Sequence, residues 1–215
     1  MNTSNKISSK TLKEQAYKIL KEKLVNCEFP PGGMLNEAQL SSELGISRTP
    51  IREAISVLET EGYLKIVPKK GILVTDILLN DVLQIFQARM EIEPITLKMA
   101  GPNLSTEELI KWRDKFMNKS DDVITGFRLD TEMHMYIIEH CNNQYIIEMM
   151  KKIFEKNTRI IISSKQNRMH YEDAQKEHIE ILNALIERNY DYGAELMRKH
   201  INNCRRSALN YFYNL

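Results

Sequence analysis

Apolar residues recur at helical spacing near the start of the chain. Leu12, Ala16, Leu20, Leu24 and Cys27 fall on one face of a helix over residues 10–27. Phe29-Pro-Pro-Gly-Gly33 interrupts that rhythm. Asn36 is placed to cap a short second helix, Glu37 to Leu44, which Gly45 closes. A third helix begins around Ser47–Thr49, with Pro50 in its first turn, and carries Ile51, Ala54, Ile55 and Leu58 on one face until Gly62 ends it. Tyr63–Val67 and Ile72–Thr75 are rich in β-branched and aromatic residues, and Pro68-Lys-Lys-Gly71 between them reads as a hairpin turn. Three helices followed by a hairpin predict a winged helix-turn-helix.

Beyond residue 76 the pattern changes. Five of the eight glycines and four of the six prolines lie within the first 71 residues, and no proline follows Pro102. Helix interiors exclude proline and tolerate glycine poorly, so an all-helical C-terminal bundle is expected. Asn80 is a candidate cap for a helix reaching Ala100, with a kink at Pro94, and Ser105 with Glu108 marks the start of the next. Further helices are expected over residues 122–141, 144–166, 171–188 and 191–213. The fold class is therefore mainly α, with domains at 1–76 and 77–215.

Composition narrows the function classes. The chain has 215 residues, 42% hydrophobic and 27% charged, an ordinary globular balance that excludes disorder. No run approaches the ~18 apolar residues of a membrane helix, and Met1–Lys10 is polar, unlike a secretory signal. Cys27, Cys141 and Cys204 are odd in number and widely spaced, as expected of reduced thiols in a cytoplasmic protein. Residues 1–75 hold 11 basic and 8 acidic residues, the remainder 19 and 21. That asymmetry is too mild to argue for nucleic acid by itself.

The motifs say more. Phe29-Pro-Pro-Gly-Gly-Met-Leu-Asn-Glu37, Leu44-Gly-Ile-Ser-Arg-Thr-Pro-Ile-Arg-Glu-Ala54, Leu58-Glu-Thr-Glu-Gly-Tyr-Leu64 and Val67-Pro-Lys-Lys-Gly71 together resemble the GntR-type bacterial transcriptional regulators. The helical remainder is similar to the FCD ligand-sensing domain of the FadR-like branch. In a helix-turn-helix the second helix of the pair enters the major groove and presents its N-terminal residues to base edges. Here those are Ser47, Arg48, Thr49 and Arg52. Arg48 and Arg52 are separated by about 40° around the helix, and each guanidinium matches the two acceptors of guanine. Ser47 and Thr49 suit phosphate oxygens, and Lys69 and Lys70 at the hairpin tip suit the flanking backbone or minor groove. From spacing alone, two arginines could equally form a solvated face; fold and motif favour DNA. Ala38 stands where some relatives place an arginine, which shifts base reading onto Arg48 and Arg52.

In the C-terminal part, ionisable groups interrupt apolar stripes. Asp130 and His134 sit amid Val123, Phe127, Ile137 and Cys141; His178 sits amid Ala174, Ile181, Leu182 and Leu185; His200 sits amid Met197, Cys204 and Ala208. Such groups are costly in a core unless paired, hydrogen-bonded or bound to metal. One oxygen and three nitrogens suit a divalent transition metal, zinc, nickel or manganese, at one per chain. Individually, each histidine could equally be a hydrogen-bonded core residue. His140, about 240° around the helix from His134, and His170, in a polar stretch, are expected at the surface. The order Asp-x3-His, then histidines 44 and 22 residues on, resembles the metal pattern of the FadR-like sensing domain. That resemblance implies a metal with open positions, which a small carboxylate effector or water fills.

Arg89 shares a helical face with Val82, Phe86, Glu93 and Leu97, and points inward as a clamp for an anionic effector, as an ion pair with Glu93, or as both. The resulting expectation is a ligand-responsive repressor and not an enzyme. It would act as a homodimer joined through the helical domains, on a pseudo-palindromic double-stranded operator with half-sites ~34 Å apart. A metal-dependent hydrolase would need a general base that the sequence does not offer and would leave residues 1–75 without a purpose. A regulator with a purely structural metal is the other alternative.

Overall fold

The computed structural model describes residues 4–118, 123–164 and 168–213. They divide into two compact units, the first ending at Ile77 and the second beginning at Leu78.

The first unit contains α1 (Ser4–Val25), β1 (Met34–Leu35), α2 (Glu37–Leu44), α3 (Arg48–Thr60), β2 (Leu64–Val67) and β3 (Gly71–Val74). Asn36 caps α2 as its side chain predicts: Oδ1 accepts from the backbone N–H groups of Ala38 (2.8 Å) and Gln39 (3.2 Å). Gly45 closes the helix in the left-handed region, at φ 65°. Alanine and leucine positions on α1 and the Ile51, Ala54, Ile55 and Leu58 face of α3 are buried together with Tyr63, Ile72 and Val74. Two details differ from the sequence expectation. Helix α1 ends at Val25 and Cys27 turns left-handed at φ 53°. The sheet also gains a third strand: β3 lies between β1 and β2, antiparallel to both, with Leu35 opposite Ile72 and Ile66 opposite Ile72 on the other side. A strand of two residues has no period to read.

The second unit is helical: α4 (Leu79–Ala100), a 3-10 turn (Gly101–Asn103), α5 (Thr106–Met117), α6 (Val123–Glu139), α7 (Gln144–Ser163), α8 (Arg168–Ile186) and α9 (Tyr190–Tyr213). Ser105 Oγ accepts from the Glu108 N–H at 3.1 Å and starts α5. Asn80 does not cap α4. The helix begins one residue earlier, where the Asp81 carboxylate reaches back to the Leu78 N–H at 3.4 Å. Pro94 lies buried within one continuous helix, its missing N–H tolerated where packing holds the turn.

Two glycines set how closely α4 and α9 approach. A Cβ on Gly101 would stand 2.5 Å from Tyr190 Cδ1, and one on Gly193 would stand 3.3 Å from Leu97 Cδ2. The first is a collision with an aromatic ring; the second is a tight but yielding contact. The α4–α9 seam matters because α4 carries Arg89 and Glu93, and α9 carries His200. Gly101→Ala is expected to cost about 1–3 kcal/mol through overpacking and to lower the temperature at which this unit unfolds in calorimetry. An unchanged midpoint would show that Tyr190 moves aside freely.

Candidate metal centre

Helix α6 places Asp130 and His134 one turn apart on its inner face, α8 supplies His178 and α9 supplies His200. All four are buried. One donor atom from each lies within 4.8 Å of the others. The three Nε2 atoms face one another: His134 Nε2 is 3.2 Å from His178 Nε2 and 3.3 Å from His200 Nε2. Asp130 Oδ1 is 2.8 Å from His178 Nε2, 3.6 Å from His134 Nε2 and 3.8 Å from His200 Nε2. Imidazole nitrogens bound to a common ion at about 2.1 Å stand about 3.0–3.4 Å apart. The His134–His178 and His134–His200 separations fall in that range.

The outer nitrogens explain why the inner ones are free to donate. His134 Nδ1 meets Glu93 Oε2 from α4, and His200 Nδ1 meets Glu177 Oε2 at 2.8 Å. With their Nδ1 protons given to carboxylates, the Nε2 atoms of His134 and His200 point at the same spot, an arrangement that a proton on His134 or a metal ion between them relieves. Asn203 Nδ2 donates to the other Glu177 oxygen, Oε1, at 2.5 Å. Among the described residues no partner stands behind His178: its Nδ1 is buried without a hydrogen bond, and its ring packs 4.7 Å from that of Phe116.

Arg89 stands one step further out. Its Nε donates to Glu93 Oε1 at 2.5 Å and its Nη1 to Asn157 Oδ1 on α7 at 2.9 Å, while the guanidinium lies over the Phe154 ring at 4.7 Å. Arg89 Nη2 and Asn157 Nδ2 are buried with no hydrogen-bond partner among the described residues. Asp130, Glu93 and Glu177 around the cluster outnumber the Arg89 guanidinium, and with neutral imidazoles a divalent ion would bring the local charge close to balance.

The electrostatics agree. Burial alone would make His134 less basic, but the Glu93 and Asp130 carboxylates outweigh it and raise it to about 9. Burial likewise opposes ionisation of Glu93, yet Arg89 and His134 hold it near 2. Burial would also raise Asp130, which His178 and His134 keep well below the usual carboxylate range. Burial lowers His178 in spite of Asp130. Burial, reinforced by His178 and His134, lowers His200 further. The pocket favours positive charge at its centre and neutral imidazoles at two of its three histidines.

The remaining histidines fall elsewhere. His140 is half-buried; its Nδ1 faces the Tyr136 carbonyl at 2.8 Å. The side chain of His170 lies outside the described residues. Glu177 and Asn157 were not singled out from the sequence. Their roles arise where separate helices meet, and no spacing along the chain carries that information.

In the first unit, Ser47, Arg48, Thr49, Arg52, Lys69 and Lys70 are all exposed. Burial of Pro50, Ile51, Ala54, Ile55 and Leu58 leaves Arg48 and Arg52 on the opposite face of α3. Ser47 starts the helix without a side-chain cap bond. Arg52 Nε donates to Glu37 Oε2 on α2 at 2.7 Å. Lys69 adopts φ 63° at the hairpin tip.

Comparison with known proteins agrees with both units. Residues 12–74 match the family described as bacterial regulatory proteins, gntR family, and residues 84–203 match the FCD domain. The chain is 27% identical over 182 residues to the Nta operon transcriptional regulator of Aminobacter aminovorans, covering 82% of this chain and 85% of that one. It is 25% identical over 202 residues to the HTH-type transcriptional repressor GlaR of Escherichia coli (strain K12), covering 86% and 90%. Its fold is similar to that of a putative transcriptional regulator GntR from Rhodococcus sp. RHA1, with a TM-score of 0.78, 18% identity, and 92% and 97% of the two chains covered. No helix among the described residues is long and apolar enough to cross a membrane. With the FCD match alone spanning more than half its length, this chain belongs to the GntR-family transcriptional regulators that carry a C-terminal FCD domain.

Proposed function

We propose that the chain is a repressor whose helical unit holds one divalent transition metal, zinc, nickel or manganese, and responds to a small carboxylate metabolite. The observation that carries this reading is the convergence of four buried donors from three helices, two of their outer nitrogens braced by Glu93 and Glu177. Asp130 Oδ1 and the Nε2 atoms of His134, His178 and His200 hold the ion. When bound, it supplies Lewis-acid attraction for a carboxylate oxygen. Glu93 fixes the tautomer and orientation of His134, and Arg89 in turn fixes Glu93. Arg89 Nη2 and Asn157 Nδ2 offer unspent donors for an anion.

The cavity beside Asp130 and His178 is about 20 Å³, room for about one water. A carboxylate of several atoms must therefore displace neighbouring side chains on entering. That displacement is the physical link a sensor requires: an effector can shift a regulator only through interactions that differ between its two states. Two chains, paired through their helical units, would read a pseudo-palindromic operator in the cytoplasm with Ser47, Arg48, Thr49, Arg52, Lys69 and Lys70 against the duplex. A hydrolase is disfavoured because Glu93 and Glu177, the carboxylates flanking the cluster, are each committed to a histidine.

Protein purified without chelator is expected to contain about one metal per chain by elemental analysis. His178→Ala should lose it, and retention would remove His178 from the ligand set. Glu93→Gln keeps the size of the side chain but removes its charge and one of its two acceptors, and is expected to weaken metal affinity about 10- to 100-fold in competition with a chromogenic chelator. Unaltered affinity would assign Glu93 to packing alone. For the DNA face, Arg52→Ala should weaken operator binding about 5- to 150-fold and relax base preference at one position per half-site. Equal affinity and preference in a binding assay would refute the placement of α3 in the groove.

A further inference from the structure

The centre described above leaves one neighbouring group without a role. Cys204 lies one turn beyond His200 on α9, and its Sγ is 3.6 Å from His200 Nε2 and 4.0 Å from His200 Nδ1. It therefore stands closer to the nitrogen that faces the cluster than to the one that faces Glu177. The same thiol lines the 20 Å³ cavity together with Asp130 and His178, so three groups able to bind metal surround a single void. On its other side Cys204 borders a groove of about 490 Å³ between α8 and α9, walled by Glu177, Glu180, Lys199 and Asn203. Ala174 borders both spaces, so only a methyl group and a thiol are shared between them.

A metal–sulfur bond of about 2.3 Å and a metal–nitrogen bond of about 2.1 Å, opened by about 90–110°, put sulfur and nitrogen about 3.1–3.6 Å apart. The observed 3.6 Å falls at the upper end of that range. The sulfur is not among the four donors that lie within 4.8 Å of one another. Joining them requires the side chain to move into the cavity it already lines.

We infer that Cys204 supplies a thiolate as a fifth donor to the divalent ion held by Asp130, His134, His178 and His200. The inference rests on the metal reading of the cluster. On binding, the S–H bond breaks, a metal–sulfur bond forms, and the proton leaves to solvent along the α8–α9 groove. A thiolate added to imidazole and carboxylate donors shifts preference toward zinc and away from manganese. It also takes one position that a purely oxygen-and-nitrogen site would leave to water or effector.

Cobalt(II) is the probe. The full chain loaded with Co²⁺ is expected to show both the visible d–d bands of a bound ion and a thiolate-to-cobalt charge-transfer band in the near ultraviolet. The charge-transfer band should disappear in Cys204→Ser, which keeps the d–d bands, and persist when Cys27→Ser and Cys141→Ala are combined. Wild-type d–d bands without a sulfur band overturn the inference and leave the four-donor centre standing. A sulfur band that survives Cys204→Ser assigns the sulfur to another cysteine and overturns it as well. Absence of any cobalt band overturns the metal reading itself, and the fifth donor with it.

Discussion

Three imidazole nitrogens and a carboxylate oxygen pointed at one spot inside a helical bundle repel one another unless positive charge sits between them. The C-terminal unit is organised around that constraint. Each of α6, α8 and α9 gives up part of its apolar stripe to supply a donor, and α4 and α7 supply the groups that hold those donors in place. The sequence of contacts from Asn157 to Arg89, Glu93 and His134 crosses three helices. Its members are buried, so removing any one leaves an unpaired charge or donor behind, which costs more than the contact itself contributes.

The close α4–α9 seam follows from the same requirement. His200 and Glu93 must stand on opposite sides of His134, and Gly101 with Gly193 allows the two helices to come near enough. The asymmetry among the histidines is informative as well. His134 and His200 are each oriented by a carboxylate, whereas His178 is positioned by the Phe116 ring and by Asp130 itself.

Much of this could be read from the chain because it depends on local periodicity. The α3 stripe, the Asn36 cap and the one-turn spacing of Asp130 and His134 follow from 3.6 residues per turn and from capping chemistry. Arg89 and Glu93 were visible as a pair facing inward for the same reason. What could not be read depends on tertiary contact. Glu177 precedes a histidine in sequence but serves a different one, His200, on another helix. Asn157 meets Arg89 across 68 positions. The two-residue strand β1 exists only because β3 offers it an edge. The start of α4 differs from the sequence expectation because Asp81, and not Asn80, satisfies the free N–H at its entrance.

Helix α4 has a further mechanical consequence. It is 22 residues long and begins two residues after Ile77, where the first unit ends. Glu93, which grips His134, lies about 21 Å along the axis from Leu79 at 1.5 Å per residue. One helix thus carries, on a single axis, both the residue that grips the imidazole cluster and the residue at which the second unit begins.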